Sequence, residues 1–317
     1  MKKVVTIGEI LVEIMATGIG DGFLEAIPLV GPFPSGAPAI FIDQVAKLGQ
    51  PCGIIGCVGD DDFGRVNVER LRRDGVDVLA IAVDPDRPTG SAFVRYRADG
   101  SRDFVYNIRH SASGEIAPTA ASAALVDAAD HLHVMGSALS SPGLVAMIRT
   151  ALESVRSRGG TVSFDPNLRK EILAAPEVRE ALDHVLSHTD LFLPSGDELF
   201  LLSEATDEAA AVRGLLGRGI RTIVVKKGAE GSSCHDAGGS CSAPAFPVEE
   251  VDATGAGDTF GATFVTGWLR GIAPREALVL ANAAGALAVQ RRGPMEGTST
   301  RAEIEAFLSR QTPKEPA

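Results

Sequence analysis

The chain has 317 residues, 45% hydrophobic and 22% charged, the balance of an ordinary globular protein rather than a fibre, a coiled coil or a disordered tail. Lys and Arg number 30 against 41 Asp and Glu, a formal net charge of −11, which argues against a basic face for nucleic acid or anionic lipid. No nucleic-acid partner and no membrane partner is expected, and a small anionic ligand needs a local device that overrides the overall sign.

From the N-terminus, Val4–Ile7 reads as a short strand, and Glu9 and Glu13 interrupt the apolar stretch that would otherwise resemble a signal peptide. Residues 11–35 read as β-structure with no helix. A helix is predicted over 36–48, with Ala37, Phe41, Val45 and Leu48 on one face. Residues 53–58 form the next strand. Asp60-Asp61-Asp62 is expected to start the helix after it and shape a binding-site rim, since Gly64 falls one position too early for a calcium loop. Residues 91–97 and 102–107 flank Ala98-Asp99-Gly100-Ser101, a hairpin signal with Asp-Gly at the tip. Residues 131–135, 161–164, 190–193 and 222–225 are further short strands separated by helical patterns. His131 and His133 alternate with apolar residues, so packing is expected of them, while His184 and His188 are expected on a solvated helix face. A strand over 247–251 precedes a glycine-rich turn and a helix carrying Phe260, Phe264 and Trp268. The last apolar run, 277–289, contains Asn282 and is too short to cross a bilayer.

Strand alternating with helix over most of the length predicts an α/β fold, a parallel sheet covered on both faces. The helix-free excursions at 11–35 and 89–112 are expected to pair as a small β-sheet lid over the C-terminal edge of the main sheet, where open α/β folds bind ligands. No repeat and no linker divides the chain, so one domain over 1–317 is expected. Cys52, Cys57, Cys234 and Cys241 show no disulfide-framework or zinc-knuckle spacing, which suits reduced thiols in a cytoplasm.

The most informative stretch is Asp252-Ala253-Thr254-Gly255-Ala256-Gly257-Asp258. Glycines at a helix start remove the Cβ atoms that would keep a ligand from the backbone N–H groups. Those groups lack intrahelical partners and sit at the positive end of the helix dipole, an anion site. Asp258 in the first turn sets a carboxylate beside it, able to accept a proton from a hydroxyl attacking a phosphoryl group. No G-x-x-x-x-G-K-[ST] occurs, and Gly255-x-Gly257-x-x-x-Gly261 misses the dinucleotide fingerprint by one residue. From the loop alone, a structural turn with Asp258 merely complementing the dipole stands beside the phosphate-binding reading.

The stretch resembles the C-terminal signature of the ribokinase-like, phosphofructokinase B-type sugar kinases. Further matches follow in order: Gly8-Glu9, Ser35-Gly36-Ala37-Pro38-Ala39 with Lys47-Leu48-Gly49, Gly59-Asp60-Asp61-Asp62-Phe63-Gly64, Phe164-Asp165-Pro166-Asn167-Leu168-Arg169 and Val225-Lys226-Lys227-Gly228-Ala229-Glu230-Gly231. The resemblance implies a three-layer α/β/α body with a β-lid, and an ATP- and magnesium-dependent kinase acting on a sugar's primary hydroxyl, with a monovalent cation as a further candidate cofactor. It implies Asp258 as the base, and the backbone of Gly255, Ala256 and Gly257 as the anion hole. Lys226, Gly228, Gly231, Thr254, Ser195 and Asn282 fall at nucleotide-side positions; for Asn282 a buried side chain satisfied by backbone is an equal reading. Glu198 matches the acidic residue of Asn-x-x-Glu, placing magnesium through water, although Ser195 stands at the Asn position and Ser-x-x-Glu is also a capping box.

Sugar-side positions are Glu13, Gly36, Ala37, Asn167, Arg169 and Arg109. Glu13, where ribokinases and fructokinases carry Asp, is similar to 2-keto-3-deoxygluconate kinases, and Arg169 suits a sugar-acid carboxylate through two parallel hydrogen bonds. Ile40 departs from the family, which carries a sugar-contacting Asn there, so a ketohexose such as tagatose or fructose is the alternative substrate. A non-catalytic sugar or nucleotide sensor and a nucleoside kinase are the rival functions. A homodimer through the lid is expected, since a lid sheet leaves edges for a second copy to cover.

Overall fold

The computed structural model describes residues 1–311 except 21, 98–101, 140, 168–175 and 204. The predicted hairpin tip and Arg169 lie outside the described residues. In chain order the elements begin β1 (Val4–Ile7), β2 (Leu11–Ile19), β3 (Leu29–Ser35), α1 (Ala37–Lys47), β4 (Cys52–Gly59), α2 (Asp62–Asp74), β5 (Ile81–Asp84), β6 (Gly90–Tyr96) and β7 (Arg102–Asn107). Next come α3 (Ala120–Asp127), β8 (His131–Met135), α4 (Pro142–Ser157), β9 (Thr161–Asp165), α5 (Pro176–Ser187), β10 (Leu191–Phe192), α6 (Glu198–Leu201) and α7 (Glu208–Gly217). The chain closes with β11 (Thr222–Lys226), β12 (Ser232–Asp236), β13 (Gly239–Ala243), α8 (Ala256–Leu269), α9 (Pro274–Val289) and α10 (Arg301–Gln311).

The main sheet runs β13-β12-β11-β10-β9-β8-β1-β4-β5, parallel except for the antiparallel β12–β13 hairpin at one edge. Its central strands, β1, β4, β8, β9 and β10, are buried on both faces, as the short β-branched runs require, while the edge strands β5 and β13 are partly exposed. Val5 and Ile7 join a core with α4, α5 and α7 on one face, while Val4 joins α1, α8 and α9 on the other. His131 and His133 point into that second core. His133 stacks on Phe41 with ring centroids 3.5 Å apart, and Ser163 Oγ lies 2.7 Å from a ring nitrogen of each histidine. Burial holds both imidazoles neutral, His131 pulled down to about 3.

A second sheet, β3-β2-β6-β7, carries the two helix-free excursions. Asp61 caps α2 by accepting from Gly64 N–H and also holds Thr89 through backbone and hydroxyl, tying the acidic loop to the start of β6. His188 turns onto the His184 carbonyl at the end of α5. Among the described residues no three His, Cys, Asp or Glu side chains gather as a metal cluster, and no helix is long and apolar enough to cross a membrane.

The expected strand at 247–251 is not formed. Residues 244–250 run extended without a ladder, and the amides of Val251 and Asp252 both donate to the Val289 carbonyl at the end of α9. Pro244 and Pro247 have no N–H to give a neighbouring strand, so this segment satisfies itself against a helix end instead.

Candidate active site

β9 and β11 end close together, and their last residues start the site. Lys226 Nζ, largely buried, donates to the Asp165 carboxylate. Both lie under the first turns of α8: a Cβ on Gly257 would stand 3.9 Å from Lys226 Nζ, and one on Gly261 would stand 3.7 Å from Asp165 Oδ2. Burial pushes the Asp165 carboxyl up, against the pull of Lys226. The same burial opposes the Lys226 charge, but Asp165, Glu198 and Asp258 together outweigh it and hold the ammonium protonated.

α8 begins at Gly255, which has φ +80° and offers no capping side chain. A Cβ there would run into the Pro294 carbonyl oxygen and stand 3.2 Å from Ile40 Cγ2, so only glycine fits. The backbone of Gly257, bare of a side chain, stands over the Lys226 ammonium, while the Ala256 N–H donates back to the Ala253 carbonyl. Ile40 packs on the back of this turn, which is what the residue at that position does here.

Asp258 sits in that turn and is 9% exposed. Asn167, in a left-handed backbone conformation with φ +40°, aims its amide at Asp258 Oδ1 across 3.3 Å. Asn167 tolerates that conformation as few other residues do. Burial, with the Asp165 carboxylate next and Glu9 and Glu13 behind it, raises the Asp258 carboxyl to about 8 despite Lys226. Glu13, buried on β2, accepts from Ser35 Oγ at 2.8 Å. Gly36 has φ +108° and lies so close to the Glu9 carbonyl that a Cβ would collide with it. The following amide, Ala37 N–H, holds the Glu9 carboxylate, as does Ser137 Oγ at 2.8 Å, while burial raises its pKa.

The remaining predicted residues divide. Ser195 pairs with Lys226 as an isolated bridge, and its N–H donates to Glu198 Oε2 at 2.7 Å, the reach-back half of the predicted capping box. Gly228 and Gly231 form the tight turn after β11, both at positive φ, and a Cβ on Gly231 would strike the Ala243 carbonyl. Asn282 accepts from Ser232 Oγ and donates to the carbonyls of Ala243 and Pro244, so its amide ties α9 to the β12–β13 hairpin. Thr254 is bonded to Asp252 and to Arg102. Arg109 is not brought to Asp258: it is exposed and lines a separate cleft of about 640 Å³ with Asp61, Asp62, Thr89 and Ser91. The lining of this cleft draws on both faces of the small sheet, Ser91 from one and Tyr106, the register partner of Ala92 on the Glu13 face, from the other.

Sequence reasoning assigned no role to Asp165, Glu9, Asp252, Tyr96 or Arg102. Asp165 and Glu9 carried a signal, since each is an acidic residue at or just past the C-terminal end of a predicted parallel strand, the edge where such sheets bind ligands. Tyr96 and Arg102 carried none.

The profile of the pfkB family carbohydrate kinases matches residues 1–301. The chain is 34% identical over 312 residues to the 2-dehydro-3-deoxygluconokinase of Thermoproteus tenax, covering 97% of this chain and 94% of that one. It is 33% identical over 316 residues to a Klebsiella pneumoniae fructokinase, covering 96% and 99%. Among solved structures, a provisionally assigned ribokinase II from Escherichia coli superposes with a TM-score of 0.95 at 49% identity, covering 98% of this chain and all of that one; the same protein has been solved with ATP and Mg2+.

Proposed function

The chain belongs to the pfkB family of carbohydrate kinases, phosphotransferases that act on sugar hydroxyls, and from that premise we propose that it phosphorylates the primary hydroxyl of 2-keto-3-deoxygluconate with ATP and Mg2+. The observation that carries the reading is the juxtaposition of Asp258 with the uncapped first turn of α8 over Lys226. ATP would supply the transferred phosphoryl group. Its terminal phosphate fits the Gly255–Gly257 amides, whose N–H groups and helix dipole stabilise charge developing on the transferred oxygens, with Lys226 beneath. Asp258 takes the proton of the attacking hydroxyl, and Asn167 orients that carboxylate through Oδ1. Glu198, the carboxylate beside Lys226, would hold magnesium through a water when the ion comes with the phosphates. Gly228 and Gly231 line the nucleotide's path, and Ser195, Thr254 and Asn282 stand around it.

On the sugar side Glu13, with Gly36 and Ala37 beside it, receives the hydroxyls, and Arg169 is assigned the carboxylate on the strength of the sequence resemblance. The relatedness to fructokinases is nearly as high as to the sugar-acid kinase, so a ketohexose is the competing substrate. A coupled ADP-release assay over 2-keto-3-deoxygluconate, fructose and tagatose decides between them. The expected result is turnover highest with the sugar acid, abolished in Asp258→Asn and weakened for the acid alone in Arg169→Ala. Preference for a neutral ketose would transfer the assignment to a ketohexose kinase, and ADP release that ignores both sugar and substitution would overturn the kinase mechanism. Exchanging K+ for Na+ in the same assay reads the monovalent-cation requirement. A cytoplasmic homodimer through the small sheet completes the reading: Val105 and Tyr106 are exposed apolar groups on edge strand β7. Sedimentation at micromolar concentration would give a dimer, and a monomer there would dismiss it.

A further inference from the structure

The small sheet touches the catalytic turn at one point. Tyr96 and Arg102 are register partners at the loop end of the β6–β7 hairpin, so their side chains leave the sheet side by side on the face shared with Glu13. Tyr96 Oη donates to Asp252 Oδ1 at 3.0 Å, and Arg102 donates to Thr254 Oγ1 at 2.7 Å. Asp252 is 1% exposed. Its Oδ1 also accepts from Thr254 N at 3.0 Å and Thr254 Oγ1 at 2.8 Å, and its Oδ2 accepts from Gly293 N at 3.0 Å.

This matters because α8 has no side-chain cap. The course of residues 252–257 is held by the Asp252 carboxylate, by the Val289 carbonyl and by the packing of Gly255 on Pro294. Two of the bonds converging on Asp252 and Thr254 thus come from the small sheet rather than from the body that carries α8. We infer that Tyr96 and Arg102 are positioning residues for phosphoryl transfer: from the small sheet they hold the Asp252–Thr254 turn, and with it the Gly255–Gly257 anion hole, in place. The inference rests on the kinase reading for its consequence, but not for its geometry.

Hydrogen exchange of residues 252–260, followed by mass spectrometry without any substrate, tests the geometry. Tyr96→Phe keeps the ring and removes the hydroxyl, which donates to Asp252 and lies 3.9 Å from Met15 Sδ; Arg102→Ala removes the other donor. Both are expected to raise exchange in that segment at least five-fold while leaving β8 and β9 unchanged. In turnover, each is expected to lower kcat about ten-fold with the sugar KM within two-fold of wild type, and Arg102→Lys is expected to recover most of the loss. Unchanged exchange in 252–260 overturns the inference, and so does raised exchange with unchanged kcat or a loss confined to KM. If the wild-type protein turns over none of the sugars, the substrate reading fails and the exchange result alone decides this one.

Discussion

Asp258 shows how a carboxylate placed by a motif acquires its chemistry from burial. The proton-accepting form is the ionised one, and burial raises the carboxyl to about 8, so kcat/KM for the sugar is expected to climb with pH through a midpoint near 8. A profile already flat from pH 5 would contradict that environment. Asp258→Asn removes the base and is expected to cut kcat by about 10²–10⁴-fold, the range of general-base contributions. Lys226 presents the complementary case. Lys226→Met leaves Asp165 buried without its counter-ion, and removing one partner of a buried pair costs about 3–5 kcal/mol, measurable by urea unfolding. Asp258, Lys226 and Glu13 were legible in the sequence because they occupy recurrent motif positions. Asp165 and Glu9 were quoted in those motifs without a role, because their contribution is the field they exert on Asp258, which depends on distance and burial rather than spacing.

At the scale of elements, the glycine-rich turn was the part most readable in advance: a positive φ, a close approach and an uncapped helix start each demand glycine, and all occur at or after Gly255. Gly255→Ala is expected to abolish transfer while the protein still folds, since its Cβ meets the Pro294 carbonyl and the turn must shift; full activity in a coupled assay would show that the turn's position is not critical. The strand expected at 247–251 failed for a reason local pattern does not contain. Its backbone partner is the end of α9, 38 residues on from Val251 to Val289, and apolar alternation cannot distinguish a ladder from a helix end as the acceptor. Asn282 was left open between adenine contact and internal satisfaction. Its three bonds to Ser232, Ala243 and Pro244 show it stitching the edge hairpin to α9. Asn282→Ala leaves those carbonyls without donors and is expected to destabilise by about 1–3 kcal/mol, read as a lowered thermal midpoint.

For the whole molecule, pH couples stability to the site. Asp258 at about 8, Asp43 at about 7 and Asp165 at about 6 bind protons more tightly folded than unfolded, where carboxyls titrate near 4. Above pH 4 they therefore withdraw stability as pH rises toward 8. The buried histidines act oppositely: held neutral in the fold, they add stability as pH climbs to about 6.5, where the unfolded imidazoles lose their protons. The two trends compete below pH 6.5, and only the carboxyl trend survives above it. The thermal midpoint is thus expected to fall between about pH 6.5 and 8 while activity rises, and Asp258→Asn is expected to flatten the fall. A midpoint that increases over this window would refute the assignment of these buried charges.

Strand–helix alternation and the glycine-rich stretch at 252–258 made legible an α/β body, two helix-free excursions and a candidate anion-binding turn with an acidic residue in it. These follow from local rules, since periodicity, glycine at positive φ and an acidic residue in a first helical turn act over a few residues. What only the tertiary structure decided is which distant groups meet. It put Arg109 in a separate cleft, gave Asp258 its neighbours on β9 and β11, and set Tyr96 and Arg102 against a loop some 150 residues away. Contacts of that separation are chosen by how two sheets pack over one edge, and no spacing along the chain encodes them.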